Sequence, residues 1–129
     1  MLYVERLMMS VFRVLHVDDD EAIGDLLETY LEESVDREEF SVTPARSVDE
    51  AEAVLDEIDI DCIVCDYQMP GTTGLEFLHR IRDRNPNKPF ILFTNKGSAD
   101  IASEAIEAGV TDYLRKGGGP EQYEVLRVS

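Results

Sequence analysis

The chain has 129 residues, 43% of them apolar, which suits one compact domain with a single hydrophobic core. Asp and Glu number 28 against 12 Lys and Arg, for a net charge of −16. Such a surface repels phosphate backbones and anionic lipid, so direct nucleic-acid and membrane binding are set aside. Only Lys88, Lys96 and Lys116 are lysines. An acidic, Lys-poor surface points to a halophilic protein, because molar salt screens charge repulsion to about 3 Å.

No apolar run approaches the roughly 20 residues of a membrane span. Residues 1–10 are too short for a secretory signal and read as an N-terminal extension, with Met8 and Met9 as alternative starts. The domain proper then covers 11–129. Val11–Val17 reads as a strand. Ile23, Leu26, Leu27, Tyr30 and Leu31 follow at helical spacing. Phe40–Ala45 is a weaker strand, and Pro44 marks it as a sheet edge. Ser47 and Glu50 form a capping-box signature for a helix that turns Val48, Ala51, Leu55 and Ile58 inward.

Ile60–Cys65 is the third strand and ends at Asp66. Cys62 and Cys65 lie three apart on it, on opposite faces, so they cannot pair with each other. They read as small buried apolar residues of a reducing cytoplasm. Thr73 caps a helix carrying Leu75, Leu78 and Ile81, and Phe90–Thr94 is the fourth strand. Ser98–Ala108 is a helix with Ile101, Ala105 and Ala108 on one face and Gly109 as its stop. Asp112–Arg115 is a short fifth strand, and Pro120 opens a last helix. His16 reads as a core histidine and His79 as a solvated one. Five strands alternating with five helices give an α/β fold: an open, doubly wound parallel sheet covered on both faces.

Function in such sheets lies beyond the carboxyl ends of the strands. Asp18, Asp19 and Asp20 follow the first strand, Asp66 the third, Thr94 closes the fourth and Lys116 follows the fifth. Two carboxylates 4 Å apart repel by roughly 4 kcal/mol at an effective dielectric of ~20. Asp18, Asp19 and Asp66 in one pocket therefore require a cation. Lys116 supplies one charge and a divalent metal two. All-oxygen ligands select a hard ion, Mg²⁺ first and Mn²⁺ next. That combination suits phosphoryl transfer to a carboxylate.

The ordered set Val17-Asp18-Asp19-Asp20, Asp66-Tyr67-Gln68-Met69-Pro70-Gly71 with Gly74, Thr94, and Asp112-Tyr113-Leu114-Arg115-Lys116 resembles the receiver domain of two-component response regulators, over about Val11 to Val128. The resemblance implies a flavodoxin-like, five-stranded parallel sheet in the order 2-1-3-4-5. It implies that Asp66 accepts a phosphoryl group from the phosphohistidine of a sensor histidine kinase or phosphotransfer protein. Asp19, Asp66 and the Gln68 backbone carbonyl would hold Mg²⁺, with Asp18 acting through water. Lys116 would bind a phosphoryl oxygen. The Thr94 hydroxyl would move to another, and Tyr113 would turn inward behind it.

Such a protein is a switch with self-catalysed phosphotransfer and dephosphorylation, and it has no independent substrate. The face from Ser98 to Ser129 would serve a homodimer or an output partner. Asp20 reads as a helix cap. Three positions depart from the family pattern: Gly117 stands where Pro usually follows the Lys, Asn95 where a small residue follows the Thr, and the last helix is short. The enzyme-class alternative is a phosphohydrolase of the haloacid dehalogenase type, whose first motif Asp18-x-Asp20 resembles. Ala22 opposes it, standing where Thr or Val is expected, and so does the lack of room for a cap domain.

Overall fold

The computed structural model describes residues 11–20, 39–94 and 99–115. Five strands, β1 (Val11–Val17), β2 (Glu39–Ala45), β3 (Cys62–Cys65), β4 (Phe90–Thr94) and β5 (Asp112–Arg115), alternate with α1 (Val48–Glu57), α2 (Gly74–Arg84) and α3 (Ala99–Glu107). Every neighbouring pair is parallel, in the order β2-β1-β3-β4-β5. The chain winds outward from β1 to β2, then returns across β1 to β3. The crevice beyond the ends of β1 and β3 is therefore the switch point of the sheet.

The sheet is buried because its strands are apolar on both faces. Every residue of β3 and β4 is buried. Leu15, Val17, Ile63, Cys65, Phe90 and Leu92 pack against Val48 and Ala51 of α1 and Leu75, Phe77, Leu78 and Ile81 of α2. The opposite face gathers Val14, Cys62, Val64, Ile91 and Phe93. Cys62 and Cys65 thus lie in different layers, and both thiols are free. Full burial of a side chain such as Phe77 contributes about 1.5–3 kcal/mol. Its ring meets Phe90 edge-on at 5.7 Å.

The helix starts follow their capping residues. Thr73 Oγ1 accepts the Glu76 N–H at 3.2 Å, and Ser47 Oγ accepts the Glu50 N–H at 3.2 Å. The return half of the second box differs from expectation: Glu50 Oε2 takes the N–H of Arg46, at 3.1 Å, one residue earlier than the cap. α3 ends where Gly109 adopts φ +89°, which an L side chain rarely tolerates.

The third strand is shorter than the apolar run. Asp61 N–H donates to the Arg13 carbonyl at 2.8 Å, and Asp61 Oδ2 accepts the Arg13 N–H at 2.8 Å. The Ile60 carbonyl accepts the Lys88 ammonium while the Ile60 side chain is buried. Ladder pairing therefore begins at Cys62. β2 begins one residue earlier than read, at Glu39, and is an edge strand as Pro44 implied. The helix read at Ile23–Leu31, the extension at residues 1–10 and the last helix lie outside the described residues.

At the pole opposite the switch point, Arg82 ties together the loops that follow α2 and α3. Its Nε donates to the Gly109 carbonyl at 2.8 Å, and one terminal nitrogen donates to the Asn85 and Lys88 carbonyls at 3.2 and 2.7 Å. Two exposed ion pairs, Arg80–Glu52 at 2.9 Å and Arg84–Asp56 at 3.6 Å, run between α2 and α1. Among the described residues no helix is long and apolar enough to cross a membrane.

Candidate phosphoacceptor site

Sheet register brings the acidic residues together. Val17 pairs with Cys65, so Asp18 and Asp66 leave the sheet side by side. Both backbones extend the ladder by one residue: Asp18 N–H donates to the Ala45 carbonyl and Asp66 N–H to the Val17 carbonyl, each at 2.9 Å. Asp18 is 5% exposed and Asp66 8%, whereas Asp19 is exposed. Carboxylate oxygens of all three lie within 4.8 Å of one another.

Local hydrogen bonds orient the two buried groups. Asp18 Oδ1 accepts the Asp20 N–H at 2.9 Å, so Asp20 contributes its amide to the site. Asp66 Oδ1 accepts the Tyr67 N–H at 2.8 Å. Gly74 sets the floor of the loop that follows. Its N–H donates to the Tyr67 carbonyl at 2.7 Å, and a side chain there would collide with the Asp66 carbonyl oxygen. Only glycine lets the first turn of α2 sit this close to the Asp66 backbone. Gln68 is exposed in the same loop, and Met69 is buried beneath it.

Thr94 closes β4 and is 1% exposed; it pairs with Arg115, the residue before Lys116. Lys116, Asn95 and Gly117 lie outside the described residues. Tyr113 packs against the larger core layer. Its hydroxyl is buried and meets no hydrogen-bond partner among the described residues. Burial pushes that hydroxyl above the ordinary tyrosine range, and Arg115 pulls it the other way.

Three carboxylates at this spacing repel pairwise by roughly 3 kcal/mol at an effective dielectric of ~20. Two of them are shielded from water, which makes the cup costly to hold without a counter-charge. An all-oxygen donor set of this size fits a hard divalent cation. Two features escaped the sequence reading. Gly74 stood only as part of a motif, with nothing in the sequence to show its contact with Asp66. His16 Nε2 lies 4.0 Å from Asp18 Oδ2. The period-2 spacing of residues 16 and 18 on a strand is the signal that would have revealed it.

A doubly wound sheet in this order, with an acidic cup at its switch point and a buried threonine on the next strand but one from β1, is the CheY-like form of the flavodoxin fold. The sequence model of the response regulator receiver domain matches residues 14–125, and the chain belongs to that family, the receivers of two-component systems. It is 39% identical over 116 residues to the transcriptional regulatory protein ResD of Bacillus subtilis, covering 90% of this chain and 46% of ResD. It is 38% identical over 109 residues to the hydrogenase transcriptional regulatory protein HoxA of Cupriavidus necator, covering 84% of this chain and 22% of HoxA. The chain thus spans less than half the length of these relatives.

Among solved structures, the beryllofluoride-activated NtrC4 receiver domain dimer superposes with a TM-score of 0.78 at 34% identity, over 88% of this chain and 90% of that one. CheY4 of Vibrio cholerae gives 0.77 at 28%, over 92% and 99%. The phosphohydrolase alternative gains no support from these comparisons.

Proposed function

We propose that the chain accepts a phosphoryl group on Asp66 from the phosphohistidine of a sensor histidine kinase or phosphotransfer protein, in a Mg²⁺-dependent reaction. The observation that carries this reading is the cup itself: Asp66, 8% exposed at the end of β3, within 4.8 Å of Asp18 and Asp19 at the oxygen atoms. Mg²⁺, or Mn²⁺ in its place, would be held by Asp19, Asp66 and the Gln68 backbone carbonyl, with Asp18 acting through water, and its charge would offset the negative charge that develops on the phosphoryl oxygens.

Asp66 supplies the attacking carboxylate oxygen. A new P–O bond forms to Asp66, the P–N bond to the donor imidazole breaks, and the electron pair leaves with the imidazole. The Tyr67 N–H on Asp66 Oδ1 keeps the carboxylate turned toward the crevice during this step. Lys116, directly after β5, neutralises one phosphoryl oxygen, and water later returns the site to the free carboxylate.

The Thr94 hydroxyl moves to a phosphoryl oxygen, and Tyr113 follows inward behind it. The Tyr113 hydroxyl is already buried and its ring already lies against the core, so the inward position that this switch needs is one the side chain can occupy. Moving the equilibrium from 1:99 to 99:1 requires about 5.5 kcal/mol of differential stabilisation. Charge-assisted bonds from Lys116 and Thr94 are of that order together. The output is read on the face from Ser98 to Ser129, by a second copy or a partner, in the cytoplasm; the acidic surface argues against direct contact with nucleic acid.

Thermal melting with Mg²⁺ and beryllofluoride tests this reading. Stabilisation of about 2.7 kcal/mol is expected at a hundredfold excess over the dissociation constant. It should require both components and vanish in Asp66→Ala. Stabilisation that persists in that variant, or none in the parent, contradicts it.

A further inference from the structure

We infer that His16 is a positioning residue for this site: its imidazole holds the Asp18 carboxylate in the orientation the acidic cup needs. The role presupposes that Asp18, Asp19 and Asp66 form a divalent-cation site.

Strand geometry sets up the contact. Side chains two apart on β1 share a face, so Val14, His16 and Asp18 line up on one side. Val14 belongs there to an apolar layer with Cys62, Val64, Ile91 and Phe93. A valine or isoleucine would continue that layer. The chain instead places an imidazole there, 2% exposed, at the cost of withdrawing a polar ring from water.

The Nε2 atom of that ring faces Asp18 Oδ2 at 4.0 Å. This exceeds a direct hydrogen bond, and the ring presents a polar atom to that oxygen where an apolar side chain would present none. The two side chains are 2% and 1% exposed, so water screens the contact little. The other oxygen, Asp18 Oδ1, accepts the Asp20 N–H. A ring nitrogen thus faces one oxygen at 4.0 Å, and a backbone N–H bonds the other. Rotation about its terminal bond disturbs both contacts. Asp18 is thereby kept as a fixed wall of the cup it forms with Asp66 and Asp19. Groups hydrogen-bonded to a metal ligand are worth about 10–100-fold in metal affinity, and a longer contact belongs at the low end of that range.

The experiment compares the parent with His16→Val, which continues the apolar layer, and His16→Gln, which restores an N–H at similar reach. Mg²⁺ and Mn²⁺ affinities are measured by calorimetry, and melting is measured without metal. Metal affinity should fall about tenfold or more in His16→Val and recover most of that loss in His16→Gln, while metal-free melting of the two variants does not track the difference. Affinity unchanged within about twofold in His16→Val overturns the inference. So does a glutamine variant as weak as the valine one, because volume alone would then explain the loss. If His16→Val does not fold, His16→Met takes its place against the same glutamine variant. A parent that binds neither ion, with Asp66→Ala as the reference, overturns the phosphoacceptor reading itself and this role with it.

Discussion

Asp66 shares its crevice with two more carboxylates, all with oxygens within 4.8 Å, and mutual repulsion is the first quantity a substitution there changes. Asp66→Asn removes one of the three charges without removing volume. In the absence of divalent ions it should melt at or above the parent, with a gain of up to about 1 kcal/mol. It should also lose the stabilisation that Mg²⁺ confers. Identical melting of both proteins across a Mg²⁺ titration contradicts this. Cys62 gives a second prediction at this scale. Its thiol is pushed up from 9.0 to about 12, first by burial and then by the charge of Asp61, with Lys88 pulling the other way. Below pH 9.0 the thiol is neutral in folded and unfolded chains alike. Above it the unfolded thiol releases its proton while the folded one keeps it. The stability contribution is thus full below pH 9.0 and is lost as pH rises toward about 12. Tyr113, also raised, adds to the slope in the upper part of that range. Urea denaturation at about pH 8 and about pH 10.5 should show the loss, at most about 1.4 kcal/mol per pH unit from Cys62, and Cys62→Ala should flatten it. An equal slope in the variant removes Cys62 as the cause. The positions of Asp18, Asp19, Asp66 and Thr94 were legible in the sequence because each stands at or just beyond the end of a strand. His16 was legible only as a buried residue, because the meaning of its ring depends on what lies two residues further along the same face.

Between elements, Gly74 and Arg82 do what no periodicity reveals. Gly74→Ala forces its new methyl group into the Asp66 carbonyl oxygen, so the start of α2 must shift. Destabilisation of about 2–3 kcal/mol is expected in urea, together with weaker Mg²⁺ binding, because the displaced atoms belong to the acceptor residue. An alanine variant with parental stability contradicts the close approach. Arg82→Leu leaves the Gly109, Asn85 and Lys88 carbonyls without their shared donor and should cost about 2–3 kcal/mol. Arg80→Ala, which breaks an exposed pair, should cost under 1 kcal/mol. If the two losses are equal, the carbonyl contacts of Arg82 carry no special weight. The capping residues Ser47 and Thr73 were legible because their bonds are local. The true start of β3 was not, because Asp61 and Ile60 are drawn off by Arg13 and Lys88, distant in sequence.

At the scale of the molecule, strand count, parallel pairing and edge placement of β2 follow from apolar runs alternating with amphipathic segments and from Pro44. The Arg82 cluster was hidden because it depends on two loops, distant in sequence, meeting at the far pole. A net charge of −16 makes the folded state sensitive to screening. The urea midpoint should rise as NaCl increases from about 0.1 M to about 1 M, and indifference to salt counts against a salt-adapted surface. Phosphorylation of Asp66 is tested by loading the protein with a small phosphodonor and Mg²⁺, reducing the acyl phosphate with borohydride, and mapping the reduced residue by mass spectrometry. Reduction at Asp66 alone, dependent on Mg²⁺, is the predicted result; reduction at Asp18 or Asp19, or none in a folded protein, contradicts it.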